Sequence, residues 1–415
     1  MQFDEAVQYL LGLGHETLAI KLGLRNTELL LQALDNPERA FTVVQIAGTN
    51  GKGSTAAMLD SICRAAGIKT GLYTSPHLVS ITERIRIAGQ DITPADFARH
   101  VTTVRAVAED LVARKEIEAL PTFFEHVTAI ALLAFREAGV AVAILETGLG
   151  GRLDATTAAK ATIVGITPIA MDHEEYLGPT LTSIAREKAA VIRPSVTAVI
   201  AAQPPEALEV LLKRCAEVSV QPSLEPGRDF YKNVSLSLRG AHQIENASVA
   251  IRLAEALRLH GFAISNEQIG LGLATATHPG RLELIGPFLL DGAHNPAGAQ
   301  ALRDYLDESG PRPLTLIFGA MRDKKLDQIA KILFPIADCL ILAPIDNPRS
   351  ATVDTLAPLG HSLARGLTIE TTSSTEAVRT AIAQTPKDGL ICVTGSLYLI
   401  GEIRPMILNL AEKTV

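Results

Sequence analysis

The chain has 415 residues, 47% of them hydrophobic and 20% charged, with a formal net charge of −7. This length suits two or three domains, each large enough to bury its own core, and excludes a single small module. Mild acidity argues against a nucleic-acid binder with a broad basic surface, but it leaves room for a local basic site that takes an anionic substrate.

The N-terminal MQFDEAVQYLLGLGHE is amphipathic and acidic and lacks the basic start and apolar centre of a signal peptide. No apolar run is long enough to span a bilayer, so a cytoplasmic protein without a membrane partner is expected. Residues 2–35 read as short helices broken near Gly12 and Gly14. Residues 41–47 (FTVVQIA) form a short strand, followed by a glycine loop and an Ala-rich helix over residues 55–66. Residues 69–73 make a second strand, and residues 94–112 and 123–138 read as helices. The continuous apolar runs 140–145 and 161–167 fit strands buried on both faces. Alternation of helix and strand through residue 202 implies a parallel sheet with helical crossovers. Residues 225–239 are polar and suit a small hairpin or surface excursion, and a helix follows over residues 244–260. His278-Pro279-Gly280 interrupts the pattern, and a fresh βα series begins, with strands near residues 282–290, 314–318, 339–343 and 390–394. The expected fold is α/β: a P-loop mononucleotide-binding parallel-sheet domain over residues 1–282, then a smaller Rossmann-like α/β C-terminal domain over 283–415. Cys63, Cys215, Cys339 and Cys392 show no paired spacing, so neither disulfides nor a zinc site are expected.

The glycine loop carries the clearest chemistry. Gly48-Thr49-Asn50-Gly51-Lys52-Gly53-Ser54-Thr55 follows a strand and opens a helix. Such a loop can turn successive N–H groups inward, and the helix start adds partial positive charge. Lys52 supplies a full charge for the β- and γ-phosphates, and Ser54 and Thr55 offer hydroxyls. The spacing departs from the common Walker pattern, because Gly53 separates the lysine from the hydroxyl residues. An ordinary P-loop kinase or hydrolase therefore stays open as an alternative.

Three further residues follow predicted strands on the same sheet edge: Ser75, Glu146 and His173. Hard oxygen donors there suit Mg²⁺, which keeps several waters. Taken alone, Ser75 reads equally as a turn residue, and His173 as a hydrogen-bonded loop residue. Lys188 lies on a following helix, where a solvated face is the plain expectation. Phe123 and Phe124 could flank an aromatic ring, with Glu125 and Asp154 accepting from an aminopterin edge. Core packing and two surface acids would explain the same residues.

Together the motifs resemble the folylpolyglutamate synthase/dihydrofolate synthase family, within the wider Mur-ligase group. The stretches are AGTNGKGST (47–55), YTSPHLVSITERIRIAG (73–89), TFFEHVT (122–128), ILETGLGGRLDAT (144–156), DHEEYLG (172–178), REKAAVI (186–192), HPGRLE (278–283), DGAHNP (291–296) and GSLYLIGE (395–402). The resemblance implies that Asn50, Gly51, Lys52, Gly53 and Ser54 bind ATP phosphates, with Asn246, Arg281 and Asp291 as further ATP contacts. It implies Ser75, Glu146 and His173 as magnesium ligands, with two metal sites. It also makes Lys188 a lysine carboxylated by CO₂ that acts as an anionic ligand. Lys52, Lys188 and His173 are thus the candidate catalytic residues. Thr122, Phe123, Phe124, Glu125, Gly151, Arg152, Leu153 and Asp154 match the pterin-binding region. Thr157 stands where the family usually has asparagine, and Ala190 where it has glycine.

The implied reaction is ATP-dependent ligation of L-glutamate to dihydropteroate or a reduced folate through an acyl phosphate, by a monomer with no nucleic-acid partner. A bifunctional enzyme is favoured over a monofunctional folylpolyglutamate synthase. His294, with Asp291, is expected to bind or orient ATP or glutamate. Another Mur-type amino-acid ligase and a nucleotide-binding regulatory module are the remaining rivals.

Overall fold

A computed structural model describes residues 1–14, 23–224, 235–308 and 313–412. It contains two compact units, Met1–Ser237 with Ile244–Thr277, and Leu238–Gln243 with His278–Val415. The excursion expected over residues 225–239 falls largely on 225–234, outside the described residues. Among the described residues no helix is long and apolar enough to cross a membrane.

The first unit holds an eight-stranded sheet of β1 (Thr42–Ala47), β2 (Thr70–Tyr73), β3 (Ile85–Ile87), β4 (Gln90–Asp91), β5 (Val142–Glu146), β6 (Ile163–Ile166), β7 (Thr197–Ile200) and β8 (Ser223–Leu224). Their order is β4-β3-β2-β5-β1-β6-β7-β8. From β2 to β8 neighbouring strands are parallel, as the alternating pattern predicts. The antiparallel β3 and β4 are an addition that the sequence reading did not resolve. Their two-residue turn, Ala88-Gly89, has positive φ at both positions, the geometry that matches strand twist in a tight hairpin. Strands this short carry too few residues to show alternation.

β1 and β5 lie at the centre of the sheet and are buried on both faces, which explains their unbroken apolar runs. Gln45 is the exception: it is fully buried in the middle of β1. The helix after β1 spans Lys52–Ala65, beginning three residues earlier than the composition suggests. Helix Phe123–Ala138 starts at a Thr122/Glu125 capping box and stops at Gly139, which takes the left-handed conformation.

Helix Asn266–Thr275 packs closely on helix Lys52–Ala65. A Cβ on Gly272 would collide with the backbone of Ile62. Gly272→Ala should therefore destabilise the first unit by about 1–3 kcal/mol, the usual cost of overpacking. Urea unfolding checks this, and an unchanged midpoint would show that the two helices can move apart freely.

The second unit holds β9 (Glu283–Ile285), β10 (Phe288–Asp291), β11 (Leu314–Phe318), β12 (Cys339–Leu342), β13 (Leu367–Glu370) and β14 (Leu390–Thr394), in the order β13-β12-β11-β14-β10-β9. The single strand expected over residues 282–290 is a hairpin of β9 and β10, turned by Gly286 at φ 55. Its own core gathers Leu289, Leu316, Phe318, Phe334 and Leu340. The four cysteines are free and buried, and burial pushes the Cys63 thiol up to about 12, so it is inert as a nucleophile.

Candidate active site

Four loops leave the carboxyl ends of the adjacent parallel strands β2, β5, β1 and β6. In open α/β sheets this edge collects ligand-binding residues. Gly48 and Gly51 hold φ of 148 and 85. A Cβ on Gly48 would strike Thr167, and one on Gly51 would strike Asn246, so the loop needs both glycines. The amides of Thr49 and Asn50 donate to the Pro168 carbonyl at 3.0 and 3.2 Å. Thr49 Oγ1 donates to the Ala170 carbonyl and accepts from the Ala170 amide, each at 3.1 Å. The glycine loop is thereby fastened to the segment that leads into Asp172 and His173.

The amide of Asn50 thus turns to Pro168, and Gly51 caps a helix whose first residue is Lys52. First-turn amides of a helix have no intrahelical acceptor, so Lys52, Gly53 and Ser54 offer the N–H groups a phosphate needs. Lys52 Nζ donates to the Thr49 carbonyl at 3.1 Å, across the same turn. Asn246 belongs to the same unit and packs on Gly51.

Lys188 is not on a solvated helix face. It is 4% exposed, and its Nζ donates to the Gly48 carbonyl at 2.7 Å. Burial, helped by the nearby Lys52 charge, pushes its pKa down to about 7, against the opposing pull of Asp172 and Asp154. Hydropathy periodicity could not show this, because the burying surface is the glycine loop, 140 residues away in sequence.

Glu146 ends β5 and is buried, and its Oε2 accepts from the Ser75 amide at 3.1 Å. Ser75 and Glu146 are therefore neighbours. His173 sits in the left-handed region at φ 51, and its amide donates to Asp172 Oδ1 at 2.9 Å. Among the described residues no group of three or more His, Cys, Asp or Glu side chains is placed to hold a metal. A serine whose backbone meets a buried carboxylate nevertheless suits Mg²⁺, which prefers oxygen donors and needs few protein ligands.

The pterin-side residues divide. Thr122 and Glu125 form the cap of helix Phe123–Ala138, with the Thr122 amide donating to Glu125 Oε2 at 2.7 Å. Glu125 Oε1 accepts from Thr27 Oγ1 at 3.0 Å. Asp154 is buried, and its Oδ2 accepts from the Gly148 and Leu149 amides at 2.8 and 2.9 Å. Its Oδ1 accepts from the amide and hydroxyl of Thr156. Burial pushes the Asp154 carboxyl up, and these hydrogen bonds oppose the shift. Both carboxylates are thus also engaged within the chain.

Phe123 and Phe124 likewise part company, because successive helical residues point about 100° apart. Phe123 is buried, with the Arg84 guanidinium 5.4 Å from its ring centroid. Phe124 is half-buried; its ring lies beside Tyr73, and it closes over Gly148, where a Cβ would crowd it. Gly151 packs on the backbone of helix Leu181–Ala189, Arg152 pairs with Glu187 at 3.0 Å, and Leu153 is half-buried. The sequence reading missed Arg84, which is 2% exposed and donates to His77 Nδ1 at 2.8 Å, and it also missed Gln45.

In the second unit Arg281, Asp291 and His294 gather around Gly292. Arg281 and His294 each contact the Gly292 carbonyl, at 3.3 and 2.7 Å. Asp291 accepts from the Leu282 and Ala293 amides at 2.9 and 3.0 Å.

Residues 46–225 match the family model described as the Mur ligase middle domain, and residues 280–397 match the Mur ligase glutamate ligase domain. The chain thus has the nucleotide-loop sheet and the second α/β unit of a Mur-type ligase. It belongs to the folylpolyglutamate synthase/dihydrofolate synthase family. The dihydrofolate synthase/folylpolyglutamate synthase of Bacillus subtilis is 33% identical over 94% of this chain and 96% of its own. The solved Mycobacterium tuberculosis folylpolyglutamate synthase complexed with ADP superposes with a TM-score of 0.90 at 30% identity, covering 98% of each chain. A Yersinia pestis bifunctional folylpolyglutamate synthase/dihydrofolate synthase with Mn, AMPPNP and L-glutamate bound superposes at 0.84 with 28% identity, again over 98% of each. The chain spans about half the length of two haloarchaeal relatives, such as the probable bifunctional folylpolyglutamate synthase/dihydropteroate synthase of Halobacterium salinarum, 35% identical over 97% of this chain and 51% of that one.

Proposed function

We propose that this chain is an ATP-dependent ligase that forms an amide between the carboxylate of dihydropteroate or a reduced folate and the amino group of L-glutamate. One observation carries the reading. The Gly48–Ser54 loop is hydrogen-bonded to both the segment before His173 and the buried amine of Lys188, at the edge where Ser75 and Glu146 also meet. The Yersinia structure, with nucleotide analogue, divalent ion and glutamate together, supports the same substrate set.

Amide formation in water is uphill, so the carboxylate must first be activated. The first-turn amides and Lys52 hold the ATP phosphates and take up charge as the γ-phosphoryl group passes to the carboxylate oxygen. Magnesium ions, held by Ser75, Glu146, His173 and a carboxylated Lys188, would supply Lewis-acid stabilisation of phosphoryl and carbonyl oxygens. Lys188 suits carboxylation because an amine that titrates near 7 is substantially unprotonated, and only the free amine attacks CO₂. Glutamate's amine then attacks the acyl phosphate, and phosphate leaves. Phe124, with the 148–154 loop beneath it, forms the pterin side. Arg281, Asp291 and His294 are assigned to ATP or glutamate.

The test offers dihydropteroate and tetrahydrofolate separately with ATP and glutamate, and weighs the products. A bifunctional enzyme adds glutamate to each, and phosphate release requires the pterin substrate and glutamate together. Full ATP turnover without glutamate would defeat the reading, and product from tetrahydrofolate alone would restrict it to a folylpolyglutamate synthase.

A further inference from the structure

A buried polar chain runs from the centre of the first sheet to the pterin-side loop. Gln45 Nε2 donates to Thr156 Oγ1 at 2.9 Å and to Thr157 Oγ1 at 2.8 Å. Thr156 Oγ1 donates to Asp154 Oδ1 at 2.5 Å, and Thr157 Oγ1 donates to the Gly151 carbonyl at 2.7 Å. Asp154 in turn fixes the amides of Gly148 and Leu149. Each hydroxyl has one proton, already directed at the loop, so both must accept from Gln45. This dictates the amide orientation and leaves Gln45 Oε1 buried with no hydrogen-bond partner. A lone acceptor in a core is costly and calls for an explanation. Here the only arrangement that satisfies both threonines is the one that strands it.

We propose that Gln45 and Thr157 are positioning residues for the substrate loop, setting the depth of the pterin site without touching the ligand. The inference rests on assigning residues 148–154 to the folate side. Gly148 is the contact that transmits it, since its backbone lies against the Phe124 ring. Gln45 belongs to the strand that feeds the nucleotide loop, yet its side chain serves the other substrate. Thr157, which departs from the family's usual asparagine, fills the same double role of acceptor from Gln45 and donor to Gly151.

Thr157→Val keeps shape and removes the hydroxyl; Thr157→Ser restores it. Loss of two buried hydrogen bonds, from Gln45 and to Gly151, predicts a rise of at least about tenfold in KM for the pterin substrate in Thr157→Val, with KM for ATP unchanged and the serine variant near wild type. Gln45→Met should act in the same direction. Hydrogen exchange is the second measurement: the Asp154 amide, which donates to the same Gly151 carbonyl that Thr157 holds, should exchange about tenfold faster in Thr157→Val. Equal shifts in both KM values, or no change in exchange, would overturn the proposal. If the wild-type protein ligates no pterin substrate, the functional reading fails at that control, and the exchange measurement still decides whether the strut holds the loop.

Discussion

Lys188→Met is expected to abolish ligation while making the protein harder to melt. The activity loss should be about a hundredfold to a thousandfold, the range seen when a charged stabiliser is removed from a site that handles developing negative charge. The stability gain has a different origin. A buried ammonium is costly, and methionine fills the same space without a charge. The sign of the pH dependence follows from the shift. The lysine titrates near 7 when folded and near 10.5 otherwise. Between these values the unfolded chain binds more protons, so wild-type stability rises with pH. The advantage of the methionine variant is therefore largest below about pH 7 and shrinks toward pH 10.5, with a ceiling of roughly 5 kcal/mol. Loss of the bond to the Gly48 carbonyl reduces it. Thermal melts without nucleotide, metal or bicarbonate check this half. The catalytic half is checked with Lys188→Ala, whose smaller side chain leaves room for formate or acetate to restore turnover in place of the carbamate. Labelled bicarbonate should give a carbamate signal in the wild type only. Retained activity in Lys188→Met would remove Lys188 from the mechanism.

Lys52→Ala is expected to lose at least about a hundredfold in kcat/KM, with the melting temperature nearly unchanged. Lys52 begins a helix and its ammonium reaches back to the Thr49 carbonyl, so truncation removes charge and little packing. Nucleotide affinity should fall as well, since the lysine faces the phosphates in ground state and transition state alike. Isothermal titration with a non-hydrolysable ATP analogue separates the two effects. Normal turnover in this variant would mean that phosphates bind elsewhere.

The glycine loop was legible in sequence because its constraint is local. Positive φ at Gly51 and a strand-to-helix transition leave marks within a few residues. The parallel sheet was legible for the same reason, through continuous apolar runs. Glu125 is a local case too. Thr122-Phe123-Phe124-Glu125 has the spacing of a helix capping box, and the structure uses it as one. That capping role was readable from the spacing alone, whatever else the acid contacts. Asp154 is different: four donors within the chain engage it, all on a loop whose path no periodicity reveals. The burial of Lys188 and the network of Gln45 were beyond periodicity, since their partners lie more than a hundred positions away, although the family motif itself marked Lys188. A glutamine inside FTVVQIA was the one visible clue.

One end of the first sheet has a consequence of its own. Its edge strand β4 is only two residues long, and both residues are exposed. A strand that brief offers almost no ladder of open amides and carbonyls for a neighbouring molecule to extend. The strongly apolar centre of the sheet is thereby shielded from edge-to-edge pairing along its β4 side.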